Sequence, residues 1–441
     1  MKIEKIQLLV VSGMLYMLIY GWMTHMSLGV PSLSVFIGLY CVAFAVYALN
    51  VFWVLRKPVE DAGKVLGVIL VFAVLFRLIA LPGIPLFEDD MHRYLWDGKV
   101  WASGINPYFY PPDDFFVEHL RDENWVGINF KFVPTIYPPL AQFIFKGAYL
   151  LAPNSAVFLK SVFFLFDCGI IGGLVWLLKR RNLPISHVVI YAWNPLIIKE
   201  FANSGHLDVV CVFFVVLFCA FVLKDNRVLA AAALGLAILS KLYPLVLLPA
   251  LLRYFRVRDF AMCLGVVLLG YFLFWDAEEL VFEGLGTYAK HWEFNDSGFL
   301  GLHSLLALFT DSSYVVAKVL VILGLGGLGL HLASKMQREG ADVLYICFVM
   351  FGGLLLFSPT VDTWYLTWIL PFLCFFPRIS WLLLSGTCIM AYCYFWQDRD
   401  FWWMRVVEYA PFYVYLVLEY TSESFSRVLF SSKDSHDETC E

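Results

Sequence analysis

Residues 6–23 read IQLLVVSGMLYMLIYGWM, a run without a single Asp, Glu, Lys or Arg. About 20 apolar residues in a helix cross a bilayer, and VLGVILVFAVLFRLIALP (65–82) and VVAKVLVILGLGGLGLHLA (315–333) have nearly that length. Hydrocarbon offers no partner to backbone N–H and C=O groups, so only helices or closed barrels can sit in it. These runs are continuously apolar where a barrel strand would alternate, which selects helices. Charged residues make up 15% of the chain, against roughly a quarter in soluble domains, so most of the surface must face lipid. The expected fold is an all-α polytopic membrane protein, a bundle of about 12–13 transmembrane helices.

The net charge of −5 comes without a basic stripe and argues against a nucleic-acid partner. The ten cysteines are scattered, with no C-x-x-C pair, which removes a disulfide framework or zinc ribbon. MKIEKIQLLVV lacks a small-residue cleavage pattern after it and reads as a retained first helix. The positive-inside rule sets the orientation. Lys2 and Lys5 put the N-terminus inside, and RKPVEDAGK (56–64) returns inside after two helices. The resulting division is an N-terminal hairpin (1–63), a catalytic membrane domain (64–425) with an external loop at 83–136, and a cytoplasmic tail (426–441). To keep KRRNLP (179–184) inside, the segment 137–152 is expected to be re-entrant, and 228–252, interrupted at SKLYP, a bent hairpin.

The external loop carries FEDDMHRYLWDGKVWASGINPY (87–108). From about Asp90 the apolar residues Met91, Tyr94, Leu95 and Trp101 recur at helical spacing, and Gly104 offers a stop. That pattern predicts a short amphipathic helix in the headgroup region. Glu88, Asp89 and Asp90 could cap it, but one carboxylate would suffice. Three adjacent acids repel one another, and ionisable groups at a membrane boundary mark function. A carboxylate in a partly apolar pocket serves as a general base. The alternative is a divalent cation, magnesium or manganese, held between Glu88 and Asp90.

Five pieces in order, EDDMHRYLWDG…GINPY, IYPPLAQ, WNPLIIKEFANSGHLD, SKLYPLVLLP and FSPTVDTWYLTWILPFL, resemble the polytopic GT-C glycosyltransferases. More narrowly, the chain from about residue 64 to 375 is similar to bacterial polyprenol-phosphate-mannose-dependent mannosyltransferases. It resembles distantly the first mannosyltransferase of glycosylphosphatidylinositol anchor synthesis. The resemblance puts a D-x-D-like pair in the first large external loop. Counted back from G-x-N-P-Y, Glu88 and Asp90 stand at its two positions, with Glu in place of Asp at the first. It implies a hexose, mannose by resemblance, carried on polyprenyl phosphate. It also implies a lipid or glycan acceptor on the outer face of a bacterial inner (plasma) membrane. No nucleotide-sugar pool exists there, and the chain shows no dinucleotide-type domain, so a lipid-linked donor suits both facts.

In the implied inverting step Asp90, flanked by Asp89 and Glu88, takes the acceptor proton, and cations absorb the charge of the leaving phosphate. Arg93 is a phosphate ligand or the i,i+3 ion-pair partner of Asp90. Lys241, in an apolar hairpin, is costly unless paired or snorkelling, which favours phosphate contact. Lys199 and Glu200 are expected to pair with each other. His206 binds phosphate or acceptor, or caps a helix. Lys290 and His291 are phosphate ligands or solvated loop residues. His92 and Asp97 flank the core motif, and Asp97 caps or supports Arg93. Tyr137, Asp208 and Asp362 are acceptor-side or supporting residues, with Asp362 otherwise a helix cap. GLGGLG (324–329) lies inside a membrane helix and is read as close helix packing, not a dinucleotide loop. The aromatic runs FWQDRDFWW (395–403) and YLTWILPF (365–372) are read as membrane-interface belts. The rival functions are a transporter or flippase of lipid-linked sugars, which would favour repeated halves absent here, and a scaffold subunit.

Overall fold

The long apolar runs form helices among the described residues. The computed structural model describes residues 5–56, 61–339, 342–397 and 402–421, so the tail at 426–441 lies outside the described residues. Helices α1 (Lys5–Ser27) and α2 (Leu33–Arg56) part at Pro31, and α3 (Ala62–Ala80) starts where Asp61 accepts a hydrogen bond from the Lys64 amide. The acid-rich stretch opens α4 (Asp90–Ala102), and α5 (Glu123–Gly127) is a single turn in the following loop. Then come α6 (Pro139–Leu151), α7 (Ala156–Arg180), α8 (Val189–Ala192) and α9 (Pro195–Ile197), which runs into a π-helical turn at Ile198–Ser204. The middle holds α10 (Asp208–Leu223), α11 (Arg227–Ser240), α12 (Leu248–Leu251), α13 (Val257–Phe272), α14 (Glu283–His291) and α15 (Gly298–Leu306). The last third is α16 (Ser313–Glu339), α17 (Val343–Phe357), α18 (Leu370–Leu373), α19 (Ile379–Thr387), α20 (Tyr392–Gln397) and α21 (Trp402–Thr421).

The protein is all-α, and among the described residues the sole β pairing is one isolated bridge between Phe294 and Thr360. Five helices, α1, α2, α3, α7 and α16, are long and apolar enough to cross a membrane, with a sixth if the pair bent by 107° after Phe272 is one span. The remaining apolar helices, such as α10, α11 and α17, are shorter. The expected dozen spans are thus met in part by short and broken elements. α6 has 13 residues, about 20 Å at 1.5 Å per residue, too short to cross alone. The interruption expected at SKLYP is present: α11 stops at Ser240 and Lys241 is extended.

Lipid is as apolar as leucine, so buried hydrogen bonds and close packing hold such helices together. The Tyr40 hydroxyl donates to the Ser385 carbonyl at 2.6 Å and that of Tyr47 to Ile190 at 2.7 Å, tying α2 to α19 and α8. The Trp193 indole donates to Ile69 at 2.9 Å. At depth, Arg77 of α3 meets Asp167 of α7 at 2.6 Å, with side chains 0% and 1% exposed.

α4 forms where the amphipathic pattern predicts it, and protein covers much of it: Met91, Tyr94, Leu95, Trp96, Asp97, Gly98 and Val100 are all buried. Its contact with α6 is so close that a Cβ on Gly98 would stand 2.5 Å from the Phe145 carbonyl oxygen. α4 is a protein-covered strut, and that burial fixes the acids at its N-terminus.

Candidate active site

The approach to α4 is strained. Phe87 adopts φ +59°, a left-handed conformation costing a bulky residue roughly 1–3 kcal/mol, with its ring held against Phe36 at 5.3 Å. The kink separates three consecutive acids by direction. Glu88 turns inward, its side chain 4% exposed, while Asp90 faces a cavity at 24% exposure. Asp89 holds the N-cap position of α4 without a capping hydrogen bond and instead accepts one from Asn129 at 2.7 Å. The capping reading of the three acids therefore fails.

The cavity has a volume of about 440 Å³, and Glu88, Asp89, Asp90 and Arg93 form one wall. Tyr137, Pro138, Lys241, Tyr243, Tyr288 and Trp292 also line it. Asp362, Trp364, Tyr365 and Trp368 complete the lining.

Behind Asp90 sits His206, 1% exposed, in the turn after the π-helical segment. Gly205 makes that turn possible at φ +73°; a Cβ there would stand 2.6 Å from the Met91 side chain. His206 Nδ1 is 3.5 Å from Asp90, and Nε2 is 3.3 Å from Glu200 and 3.7 Å from Glu88. Neither nitrogen makes an aligned hydrogen bond, so these contacts are ion pairs. The Trp364 ring lies parallel to the imidazole at 4.1 Å, a position that favours a cation. Burial alone would lower the basicity of His206, but Glu88, Asp90 and Glu200 outweigh it and hold the imidazolium well above its ordinary range. Burial alone would raise Asp90; His206, Lys241 and the Tyr94 hydroxyl at 3.3 Å overcome this and keep it a carboxylate. Its neighbour behaves oppositely. Burial and the charges of Asp90 and Glu88 push Asp89 up to about 7. Environments that drive adjacent carboxyls apart in this way assign them different roles.

Lys199 lies 3.3 Å from Glu88 and 3.4 Å from Glu200 and touches the Tyr392 hydroxyl, which also contacts Glu88. The expected Lys199–Glu200 pair is therefore one edge of a larger buried network that includes Thr363, bonded to Glu200 at 3.0 Å. Glu88, Glu200 and His206 present ligand atoms within 4.8 Å of one another, a spacing suited to a metal ion. The Lys199 ammonium already bridges both carboxylates, so the donor set does not fit a further divalent charge. Glu88 and Asp90 face opposite nitrogens of the His206 ring.

Two cations reach the cavity. Arg93 pairs with Asp97 at 2.9 Å, not with Asp90, and donates to the Val133 carbonyl at 3.0 Å. Asp97 also accepts from Gln142 of α6 at 3.1 Å and from Thr135 of the preceding loop at 2.5 Å, which locks both onto α4. Lys241 is gripped by both oxygens of Asp208 at 2.8 Å and lies over the Tyr365 ring at 4.4 Å. Asp208 is held in turn by the Trp368 indole at 2.5 Å. Tyr243 stacks on Trp368 at 3.9 Å and Tyr365 on its other neighbour face at 4.4 Å. Within the run YLTWILPF, Tyr365 and Trp368 thus line the cavity. FWQDRDFWW lies in part outside the described residues.

Asp362 holds the N-cap position of a short 3-10 helix, Thr363–Trp368, yet makes no capping hydrogen bond. Burial first, then the charges of Glu88 and Asp90, push it up to about 8. Of the remaining candidates, Tyr137 lines the cavity. His206 binds acids rather than opening onto the cavity. Lys290 and His291 are exposed on α14 and do not reach it, because that helix turns Leu285 and Tyr288 inward. His92 points the other way, onto α5, 3.4 Å from Asn124. Lys160 and Asn203 escaped the sequence reading. Lys160 binds the carbonyls of Gly83 and Asn203 at 2.5 and 3.0 Å, and Asn203 binds the Leu86 amide at 3.0 Å. Together they fasten the acid loop to the π-helical turn. A lysine inside an apolar helix was the available signal.

The model of the family described as alpha-(1->6)-mannopyranosyltransferase, N-terminal domain, matches residues 8–255, more than half of the chain. That region includes α1 and α2 as well as Glu88–Asp90, Glu200, His206 and Lys241. A second model, GPI transamidase subunit PIG-U, matches residues 137–380 and so covers Asp362 and the aromatic wall but not the three acids. No curated protein and no solved structure matches the chain. A membrane-embedded helical bundle with a carboxylate-walled cavity and this match leads to one assignment: the chain belongs to the alpha-(1->6)-mannopyranosyltransferase family, within the GT-C-like group to which PIG-U is related, and is a membrane glycosyltransferase.

Proposed function

We propose that the protein transfers a hexose, mannose in the first instance, from a polyprenyl-phosphate donor to a lipid or glycan acceptor. The reaction takes place on the outer face of a bacterial inner membrane, with both termini inside. The observation that carries the reading is Asp90: a cavity-facing carboxylate kept ionised by an imidazolium 3.5 Å behind it. A base must be unprotonated at working pH and within reach of the proton it takes.

In the proposed step Asp90 removes the acceptor hydroxyl proton as that oxygen attacks the anomeric carbon. The bond from that carbon to the phosphate oxygen breaks, its electron pair leaves with the polyprenyl phosphate, and attack from the opposite face inverts the centre. Lys241 and Arg93, each already paired with an acid of its own, line the cavity in which the second phosphate charge develops, and contribute N–H donors to it. Tyr243, Trp368 and Tyr365 supply flat apolar faces for the substrate. Mannose rests on the family description; the lipid carrier rests on a membrane-embedded cavity with paired cations.

The match to PIG-U, described as a GPI transamidase subunit, favours a second reading, a subunit of a larger membrane assembly. That match omits residues 88–90, so the acids decide between the two. The test reconstitutes purified protein with radiolabelled polyprenyl-phosphate mannose and a membrane extract as acceptor source. Wild type transfers label, and Asp90→Asn loses about 10²–10⁴-fold in kcat, the usual worth of a general base. Equal transfer by both removes Asp90 from the chemistry. If neither transfers any lipid-linked sugar, the subunit reading takes over, or the flippase reading if both move donor across vesicles equally.

A further inference from the structure

Asp362 is the one cavity acid for which the structure provides no partner and no local duty. It stands at an N-cap position without capping, and its carboxyl makes no hydrogen bond among the described residues. Its backbone is held in place: Phe294 and Val361 bond across the isolated bridge at 2.8 Å, and the Phe294 amide bonds the Pro359 carbonyl at 3.0 Å. The loop therefore presents the side chain to the cavity rigidly.

Glu88 of the acid loop, Asp90 of α4 and Lys241 at the α11 break line the same cavity as Asp362, and their charges act on it together with that of His206 behind the wall. Tyr288 of α14 and Tyr365 of its own 3-10 helix complete the surround, and Asp89 lines the same cavity. A phosphodiester brings a further negative charge into this space. Lys241 is already neutralised by Asp208, and Arg93 by Asp97. An ionised Asp362 would repel the incoming phosphate; a protonated one offers it an O–H donor.

Building on the polyprenyl-phosphate reading above, we propose that Asp362 acts as a neutral carboxylic acid that donates a hydrogen bond to the donor phosphate beside Lys241. It thereby selects for an anionic lipid carrier. No proton is transferred: the hydrogen stays on the carboxyl while the sugar leaves. The rise of Asp362 to about 8 agrees with this state at neutral pH.

The test measures donor KM in the reconstituted wild type between pH 7 and 9. Loss of the protonated form across this interval raises donor KM about tenfold by proton linkage. Free polyprenyl phosphate, used as a competitive inhibitor, reads binding without chemistry, and its Ki follows the same course. Asp362→Asn keeps an N–H donor but cannot ionise. Its donor KM is about two- to threefold weaker at pH 7, as for a poorer hydrogen bond, and does not rise further by pH 9. A flat KM and Ki in active wild type overturns the inference alone. So does loss of kcat in Asp362→Asn with donor KM unmoved, or a pH response confined to acceptor KM. If the variant does not fold, the wild-type KM and Ki profiles decide. Absence of any transfer from the lipid donor takes down the functional reading and this inference together.

Discussion

Replacing Asp167 by Asn should destabilise the bundle by a computable amount. Arg77 reaches Asp167 at 2.6 Å through Nε and 3.4 Å through Nη2, and spends Nη1 on the carbonyls of Ala73 and Ala192 at 3.0 and 2.8 Å. Tyr191 donates to the same carboxylate at 2.8 Å. Asp167→Asn strips the negative charge and strands a guanidinium whose side chain is 0% exposed. Breaking one side of a buried pair costs about 3–5 kcal/mol. With unfolding entropy scaling with chain length, that corresponds to a loss of roughly 3–5 °C for a chain of this size. The double replacement Arg77→Met with Asp167→Leu leaves no stranded charge and should recover most of the loss, since apolar substitutes of similar volume are often neutral. The assay is the fraction of monodisperse protein remaining after heating in detergent, read for both singles and the double. Neither residue lines the cavity, so turnover per folded molecule is expected to hold. A double variant that loses the sum of the two singles would refute the coupling.

Two more predictions concern the site. His206→Asn removes the cation that keeps Asp90 ionised. Because Asp90 sits below its ordinary range owing to that charge, its protonation then occurs at higher pH. The acid limb of the pH–kcat/KM profile accordingly moves upward, and an unmoved limb would separate His206 from the base. Exhaustive chelation should leave transfer unaltered, because Lys199 already bridges Glu88 and Glu200; activity lost to chelator and restored by magnesium or manganese would contradict this.

What was legible in the sequence followed from local rules. Membrane-length apolar runs specify helices because the backbone must satisfy itself inside lipid, and they dictated the all-α polytopic class. The break at Lys241, the stop at Gly104 and the acids before α4 were visible as interruptions in apolar text. The family resemblance in ordered motifs agrees with the matched mannopyranosyltransferase model. The errors have a common cause: a one-dimensional pattern says that a residue is polar or aromatic, not which neighbour it finds. Arg93 has an acid three residues behind it and another four ahead, and packing of the 133–138 loop selects Asp97. Tyr365 and Trp368 read in sequence as part of an interfacial belt, and a 3-10 helix turns them onto Lys241 and the cavity.

Sequence alone thus determined the solvent this chain lives in, its helical class and the acid stretch where chemistry is concentrated. Tertiary structure decided the roles within that stretch. Glu88 meets Lys199 and Tyr392 across separations of 111 and 304 residues, and Asp90 meets His206 in a turn that only Gly205 permits. Protonation depends on burial and on charges a few ångströms away. Three adjacent carboxyls therefore became an inward ion-pair partner, a carboxyl raised to about 7 and a cavity-facing carboxylate held below its ordinary range only once the fold had set their neighbours.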